Sequence, residues 1–483
     1  MRDIKKVFLL IFAAAGLLQG GVAQSFKLQG ADSPSFLGNA IVDLVVRENR
    51  ILASTGFGLN ISRDYGNSWQ SFTPGIYPGK GGVSAMGFMD DNTLWIATAF
   101  DTTAEDQSFS AGGGLSYTRD GGKSWTYIPQ PVDAVDETEY APTTTNIQNI
   151  TFDIAFHDST VWIASFGGGL RRSDDMGRSW QVVTPDGQPF NSFNNLKHRA
   201  FSVMTENGNI WYGSAEGISK SDDGGISWRH FTHQNQDRPI SGNFVVALAW
   251  QEATQTVWAA TIEAVDGDEI RAVSKSEDGG NSWDVVLKGV FAHNFGFDGE
   301  TVFVAADLGL YVSDDRGENW YELPPVVDSS NGEKVLDREY FSAASQSGNG
   351  LTRWWLGSGD GLASTTDRGN SWRITRSFVS TRQRTSPKVY AYPSPFSPPR
   401  SGYTRFQFDI SADTAVEIKI YNWAMEHVRT LKEEEGNWSA GSRDRSVEWD
   451  GRDIDGRIVD SGVYFFRADI GGEVTWGKVV VID

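Results

Sequence analysis

The residues best placed to do chemistry come as a set. Seven times the chain repeats Ser/Thr-x-Asp-x-Gly-x-Ser/Asn-Trp, carrying Asp64, Asp120, Asp175, Asp223, Asp278, Asp315 and Asp367 with Trp69, Trp125, Trp180, Trp228, Trp283, Trp320 and Trp372. A carboxylate in that setting could ligate a metal or act as an acid, or it could accept backbone N–H bonds inside a tight turn. Its companions favour the turn. Glycine supplies a positive φ, the hydroxyl closes a hairpin, and tryptophan buries its indole between strands. A local motif repeated seven times is most economically a repeated local turn, so these aspartates are read as structural.

Other constellations fail on spacing. His230 and His233 fall on the strand leaving Trp228, where a three-residue offset puts side chains on opposite faces; they are read as surface histidines. Asp450, Asp453 and Asp455 suggest a calcium loop, but the pattern needs an acid where Gly451 stands and a glutamate where Gly462 stands. Gly112, Gly113 and Gly114 enter a strand instead of a helix, so they cradle no phosphate. No nucleophile elbow stands out. No catalytic residue, metal or cofactor is assigned.

The elements that hold the motifs repeat as well. Ahead of each box lies a short apolar strand closing on small residues, among them ILAST (51–55), VWIAS (161–165), VWAAT (257–261) and WWLGS (354–358). An earlier apolar segment precedes each one, such as IVDLVV (41–46), VSAMGF (83–88), VVALAW (245–250) and FAHNFGF (291–297). A third strand enters the box and a fourth leaves from its tryptophan. Successive box aspartates lie 37 to 56 residues apart, a period suited to one four-stranded propeller blade. The fold expected is all-β, a seven-bladed β-propeller over residues 24–380.

In such a blade the connections from strand two to three, and from strand four to the next blade, share one end; the boxes mark the other. The long connections at the first end are 70–82, 100–112, 126–149, 184–199, 231–243, 262–270 and 324–339. Within or beside them the candidate binding residues are Tyr77, Tyr140, Phe190, Phe193, His198, Arg199, Arg238, Arg338 and Tyr340. Aromatic surfaces beside arginine suit a glycan or a protein segment, because they join a flat apolar face to directional donors. The competing reading is that these residues pack the loops onto the propeller.

Composition bounds the rest. The 483 residues exceed what one core usually organises. The formal net charge of −20 repels phosphate backbones, which excludes nucleic acid as a partner. Residues 1–23 read as a secretory signal: Arg2, Lys5 and Lys6 precede the apolar run Val7 to Leu18 and the small residues Gly21, Val22 and Ala23. That run is too short for a transmembrane anchor. The chain has no cysteine, so export brings no disulfide and no lipid anchor on an N-terminal cysteine. After a basic, polar linker at 381–389, short strands over 390–483 argue a small immunoglobulin-like β-sandwich.

On the seven boxes and the strands ahead of them, residues 41–380 resemble the Asp-box, or BNR, repeat proteins, which include sialidases, sortilin-type receptors, xyloglucan-cleaving glycosidases and photosystem assembly factors. The resemblance implies fold more than function. A sialidase would carry Arg-Ile-Pro near its start, whereas the nearest string here is Arg238-Pro239-Ile240; xyloglucan enzymes of this kind use a cleft between two propellers, and one is expected here. Residues 390–483 resemble the FlgD-like immunoglobulin domain and the sorting domains of type IX secretion cargo. The match rests on Tyr392 to Pro398, Val416 to Tyr421, Trp449-Asp450-Gly451, Asp455-Gly456, Ser461 to Tyr464 and Lys478-Val479-Val480. That resemblance implies engagement of export or sorting machinery, or surface attachment.

The functional expectation is an exported or surface-displayed, non-catalytic scaffold that binds glycan or protein through its long-loop end. Two alternatives stay open. One is a polysaccharide-acting hydrolase or lyase, which needs a carboxylate pair with displaced pKa on that end or at the channel mouth. The other is a structural surface or adhesion component.

Overall fold

The computed structural model describes residues 36–104, 107–132, 147–264, 267–330, 332–348, 350–377, 389–398, 403–410, 413–433 and 445–482. The secretory signal, Tyr140 and nearly all of the expected linker lie outside them. The chain divides into two compact units, Phe36–Arg376 and Ser377–Asp483. Apart from a 3-10 turn at Leu196–His198, their elements are strands.

The first unit contains seven four-stranded antiparallel sheets among the described residues, each contiguous in sequence and ordered as a simple meander. The first is β1 (Ile41–Arg47), β2 (Arg50–Thr55), β3 (Gly58–Ser62) and β4 (Gln70–Phe72). The innermost strands of the other six are Gly82–Phe88, Thr151–His157, Ala200–Glu206, Phe244–Gln251, Ala292–Asp298 and Tyr340–Gly348. Each touches its successor, and the last returns to β1. Among the described residues no sheet borrows a strand from a distant segment; the first and last sheets meet through side chains and through the Gly361 amide, which donates to the Asn39 carbonyl at 2.8 Å.

Each box folds as its chemistry requires. In the first, Ser62 Oγ donates to Asp64 Oδ1 at 2.8 Å and accepts from the Gly66 amide at 2.8 Å. Asp64 in turn accepts from the Ser68 amide at 2.8 Å and the Ser68 hydroxyl at 2.6 Å. The same bonds recur in the other six boxes, with Asn319 taking the serine's place in the sixth. Donated hydrogen bonds hold Asp175, Asp223 and Asp315 down at about 2, the serine or asparagine four residues on being the strongest cause. A carboxylate so engaged is occupied in its own turn.

The tryptophans do something the sequence did not suggest: they pack between sheets and not between strands of one sheet. Trp228, Trp283 and Trp320 stand edge-on to Trp162, Trp211 and Trp258 of the preceding sheet, with centroids 6.3, 6.4 and 6.3 Å apart. At these three interfaces box tryptophan and second-strand tryptophan form the joint, while Trp125 meets Phe72 and Tyr77 instead, at 6.2 and 6.1 Å. A further correction concerns 100–112, expected as a loop. Strands Leu94–Ala104 and Gln107–Thr118 extend through it as a long hairpin, in keeping with its threonines and serines facing across the ladder.

The second unit has a three-stranded sheet, Tyr390–Tyr392, Thr404–Phe408 and Arg445–Trp449, and a four-stranded one. The latter orders His427–Glu433, Val416–Tyr421, Gly462–Ile470 and Glu473–Val481. Strand His427–Glu433 escaped the sequence reading, since HVRTLKE carries only two apolar residues. Both sheets contribute to one core in which Trp449 meets Phe396 and Tyr464 edge-on at 5.5 and 5.6 Å.

Candidate functional site

At the end away from the boxes, every innermost strand begins with a β-bulge in the same register. The bulged residues are Val42, Ser84, Phe152, Phe201, Val246, His293 and Phe341. A bulge re-aims side chains by inserting one residue into the ladder. Seven in register therefore build a ring of side chains around the axis. Part of it is aromatic: Phe152 stacks on Phe201 at 5.8 Å, Phe201 meets Phe244 at 4.5 Å, and His293 lies 4.7 Å from Phe291 and 5.8 Å from Phe341.

One residue further along sit Asp43 and Asp153. Each accepts its own strand's next amide, Leu44 N and Ile154 N, at 2.8 Å. Asp153 also accepts from Ser202 Oγ at 3.0 Å and Val203 N at 2.9 Å, tying the third sheet to the fourth. Burial pushes Asp43 up to about 7, with repulsion from Asp153 adding to it, and pushes Asp153 up to about 6. Both residues are partly exposed as a whole, while their carboxyls lie deep among protein atoms. Asp43 feels the charge of Asp153 although the second sheet lies between theirs. The sequence reading passed over them; the signal was a lone aspartate in each of the apolar strands IVDLVVR and TFDIAFH.

The candidate residues of the long connections separate by exposure. Tyr77 is fully buried in the core, its hydroxyl 3.4 Å from the Gly81 carbonyl, and Tyr340 is buried too, which pushes its phenol up to about 12. Phe190 is buried and stacks on His198 at 5.5 Å. These three aromatic side chains pack the connections from within. Arg238 spends its guanidinium on Asp284, and Arg338 bonds the Leu308 carbonyl at 2.9 Å and Glu322.

Residues 184–199 form a braced arch. His198 Nδ1 accepts from Asn191 N at 2.8 Å, which leaves the ring proton on Nε2 to donate to Asp186 at 2.9 Å. Burial works against the Asp186 carboxylate, but the bonds from His198 and Asn195 outweigh it and hold its pKa low. Arg199 donates to the carbonyls of Ser192 at 2.6 Å and Phe193 at 2.8 Å. The arch delivers Phe193 to its crest, 63% exposed. Arg199 and His198 were singled out as contacts; their donors are engaged in building the arch.

One of the two histidines needs correction. His230 is not a surface group: its Nδ1 lies 2.9 Å from Ser219 Oγ, and burial pushes it down to about 4. His233 faces elsewhere, its Nδ1 2.7 Å from the Ile240 carbonyl.

No protein-family model matches the chain, and comparison with curated proteins gives no match. Among solved structures it is similar to the GH74 xyloglucanase of Xanthomonas campestris, with TM-score 0.53 and 15% identity over 80% of this chain and 59% of that one. An ancestral GH74 enzyme gives TM-score 0.55 and 15% identity, covering 93% of this chain and 63% of its own. The neighbours are β-propellers. The first unit is a β-propeller. The extracellular domain of a putative one-component system from B. thetaiotaomicron is also similar, with TM-score 0.44 and 16% identity over 84% of this chain and 48% of that one. The chain spans about three fifths of the length of the two GH74 enzymes. In the propeller, the bulge ring and the arch share the end where strand-two-to-three turns and inter-sheet connections gather.

Proposed function

We propose that the protein is an exported or surface-displayed seven-bladed propeller that acts as a recognition scaffold, binding a polypeptide segment at its connection end. The observation that carries this reading is the distribution of exposed apolar side chains. Phe57, Ile76, Phe193, Leu308 and Leu336 are all exposed there, while the box end offers Ile226, Tyr321 and Leu351. Apolar groups gathered on one end mark an interaction surface. Their mixture of aliphatic and aromatic types suits protein side chains better than sugars, which stack on aromatic faces. Phe193 stands on an arch already ordered by hydrogen bonds, so holding it out costs no entropy at the moment of binding.

Export follows from the leader-like residues 1–23; among the described residues no helix is long and apolar enough to cross a membrane. The second unit is read as an immunoglobulin-like module for sorting or attachment, on the motifs it shares with FlgD-like domains.

A second reading is favoured by Asp43 and Asp153. Two carboxyls with raised pKa near the axis are the feature a polysaccharide hydrolase needs, one protonated as acid and one ionised. The GH74 likeness lends it chemistry. Against it, Asp153 already accepts three hydrogen bonds within the fold.

The test is binding of the chain from Gln24 onward to displayed peptide and glycan libraries, with reducing-sugar release read in parallel. Peptide binding lost in Phe193→Ser and Leu308→Ser, at unchanged thermal stability, is the expected result. Glycan binding without peptide binding changes the partner. Sugar release that disappears in Asp43→Asn replaces the scaffold by an enzyme.

A further inference from the structure

The sixth sheet and the start of the seventh bring together three side chains that no sequence motif links. His293 is the bulged residue of strand Ala292–Asp298. Asp307 lies in the turn between strands Thr301–Ala306 and Gly309–Ser313 of the same sheet, and Glu339 precedes strand Tyr340–Gly348. His293 Nε2 is 2.6 Å from Asp307 Oδ1 and 3.7 Å from Glu339 Oε1, and one donor atom from each residue lies within 4.8 Å of the other two.

We propose that His293, Asp307 and Glu339 bind one divalent transition-metal ion, zinc foremost, at the connection end of the propeller. This goes beyond the scaffold reading and does not depend on which partner binds there.

Four observations support it. The donor set is one imidazole nitrogen and two carboxylates. Zinc and its neighbours take that mixture, whereas calcium and magnesium prefer oxygen alone. The charge balances, since two carboxylates and a neutral imidazole cancel a divalent ion. Without an ion the negative charge is crowded, since Asp337 accepts the Glu339 amide at 3.0 Å and adds a third carboxylate beside Asp307 and Glu339. The neighbouring cation gives no relief, because Arg338 is directed to Leu308 and Glu322.

The histidine is also held for the task. Its side chain is 7% exposed and lies between Phe291 and Phe341, so the ring is fixed while Nε2 reaches the two carboxylates. Metal–ligand bonds of ~2.0–2.2 Å require donor atoms roughly 3.2–3.5 Å apart in a tetrahedral shell. Small rotations of Glu339 and Asp307 supply this, with Asp307 moving off Nε2 as the metal takes its place and the imidazole, still neutral, carrying its one ring proton on Nδ1. Three protein ligands leave a coordination position open toward the connection end. An oxygen donor of a bound partner, or water, completes the shell. Sequence spacing could not show the set, because its members come from three separate segments; the trace it left was a lone histidine in FAHNFGF.

The experiment is zinc titration of the chelator-treated chain from Gln24 onward, by calorimetry and by elemental analysis after dialysis. His293→Ala and Glu339→Gln are measured beside it. Expected are one tightly held zinc per chain, a zinc-dependent rise in melting temperature, and at least a tenfold loss of affinity in each variant. Cobalt in place of zinc should give a visible absorption band that both variants lose. Glu339→Gln keeps a half-exposed, isosteric side chain, so it reports even where His293→Ala unfolds the sheet. Absence of stoichiometric zinc overturns the proposal, as does equal affinity in wild type and Glu339→Gln, or a preference for calcium over zinc.

Discussion

Trp69 of the first box stands edge-on to Trp355 of the last sheet, with ring centroids 6.1 Å apart at 87°. The same pairing joins the third to fourth, fourth to fifth and fifth to sixth sheets, so the ring is closed by the joint that builds it. Phe36 covers the outer side of Trp69 at 5.0 Å. Hydrogen bonds join the same two sheets beside this packing, from the Gly361 amide to the Asn39 carbonyl at 2.8 Å and from Gln346 Nε2 to the Glu48 carbonyl at 2.9 Å.

Trp355→Ala should therefore act as a ring-opening lesion. Large-to-small changes at buried aromatics cost about 3–5 kcal/mol, and Trp355 is 1% exposed. Gly66→Ala attacks the same joint from the other side: the glycine has φ +79°, and an added Cβ would lie 2.1 Å from the Trp355 ring. Denaturant unfolding should show both variants destabilised, and limited proteolysis should cut first near the junction of the first and last sheets. Wild-type-like unfolding of Gly66→Ala would count against this closure.

Asp43 predicts a pH dependence of definite sign. Its pKa rises from an ordinary 3.8 to about 7 on folding, so the native state holds the proton more tightly. The stabilisation is full below pH 4, falls as pH rises, and is gone above about 7. Three units correspond to ~4 kcal/mol at most, and to roughly 1–2 kcal/mol once water reaching the axis screens the charge. Asp43→Asn should then be more stable than wild type at pH 8 and level with it near pH 4. The box aspartates oppose this with depressed pKa values, and their contribution is lost as pH falls below 4. Melting curves from pH 4 to 8 that run parallel for wild type and variant would sink the assignment.

Arg376 and Asp360 offer a third test. The Arg376 side chain, just past the last strand of the seventh sheet, is buried, bonding Asp360 Oδ2 at 2.8 Å and Oδ1 at 3.1 Å, with Glu333 at 3.4 Å. Asp360 also accepts the Leu336 amide at 3.0 Å. Removing one partner of a buried pair leaves a charge without compensation and costs about 3–5 kcal/mol. Asp360→Ala should lower the unfolding midpoint accordingly; a change within experimental error would show that the pair contributes little.

For the arch, Phe193→Ser and Arg199→Ala should behave differently. The first removes an exposed ring and leaves stability unchanged while weakening ligand binding. The second releases two carbonyls and a half-buried cation over Phe166, 5.5 Å from its ring, so hydrogen exchange over 190–199 should accelerate. Equal exchange in Arg199→Ala and wild type would mean the arch is held by other contacts.

The sequence by itself determined the seven boxes and the apolar strands ahead of them, but not the hairpin through 100–112 or strand His427–Glu433. A box of eight residues contains the partners of its aspartate and leading hydroxyl, from Ser62 to Ser68, and apolar strands such as VWIAS announce themselves by composition. What only the tertiary structure decided lies between repeats. That Trp69 meets Trp355, that a bulge turns Phe201 toward the axis, that Asp43 feels Asp153, and that His293 meets Glu339 all depend on how sheets are placed around a centre. Burial likewise separated Tyr77 from Phe193, two aromatic residues of similar connections. Local hydrogen bonding is encoded within a few residues, whereas desolvation and charge proximity belong to groups far apart in the chain, and those are the forces that define a site.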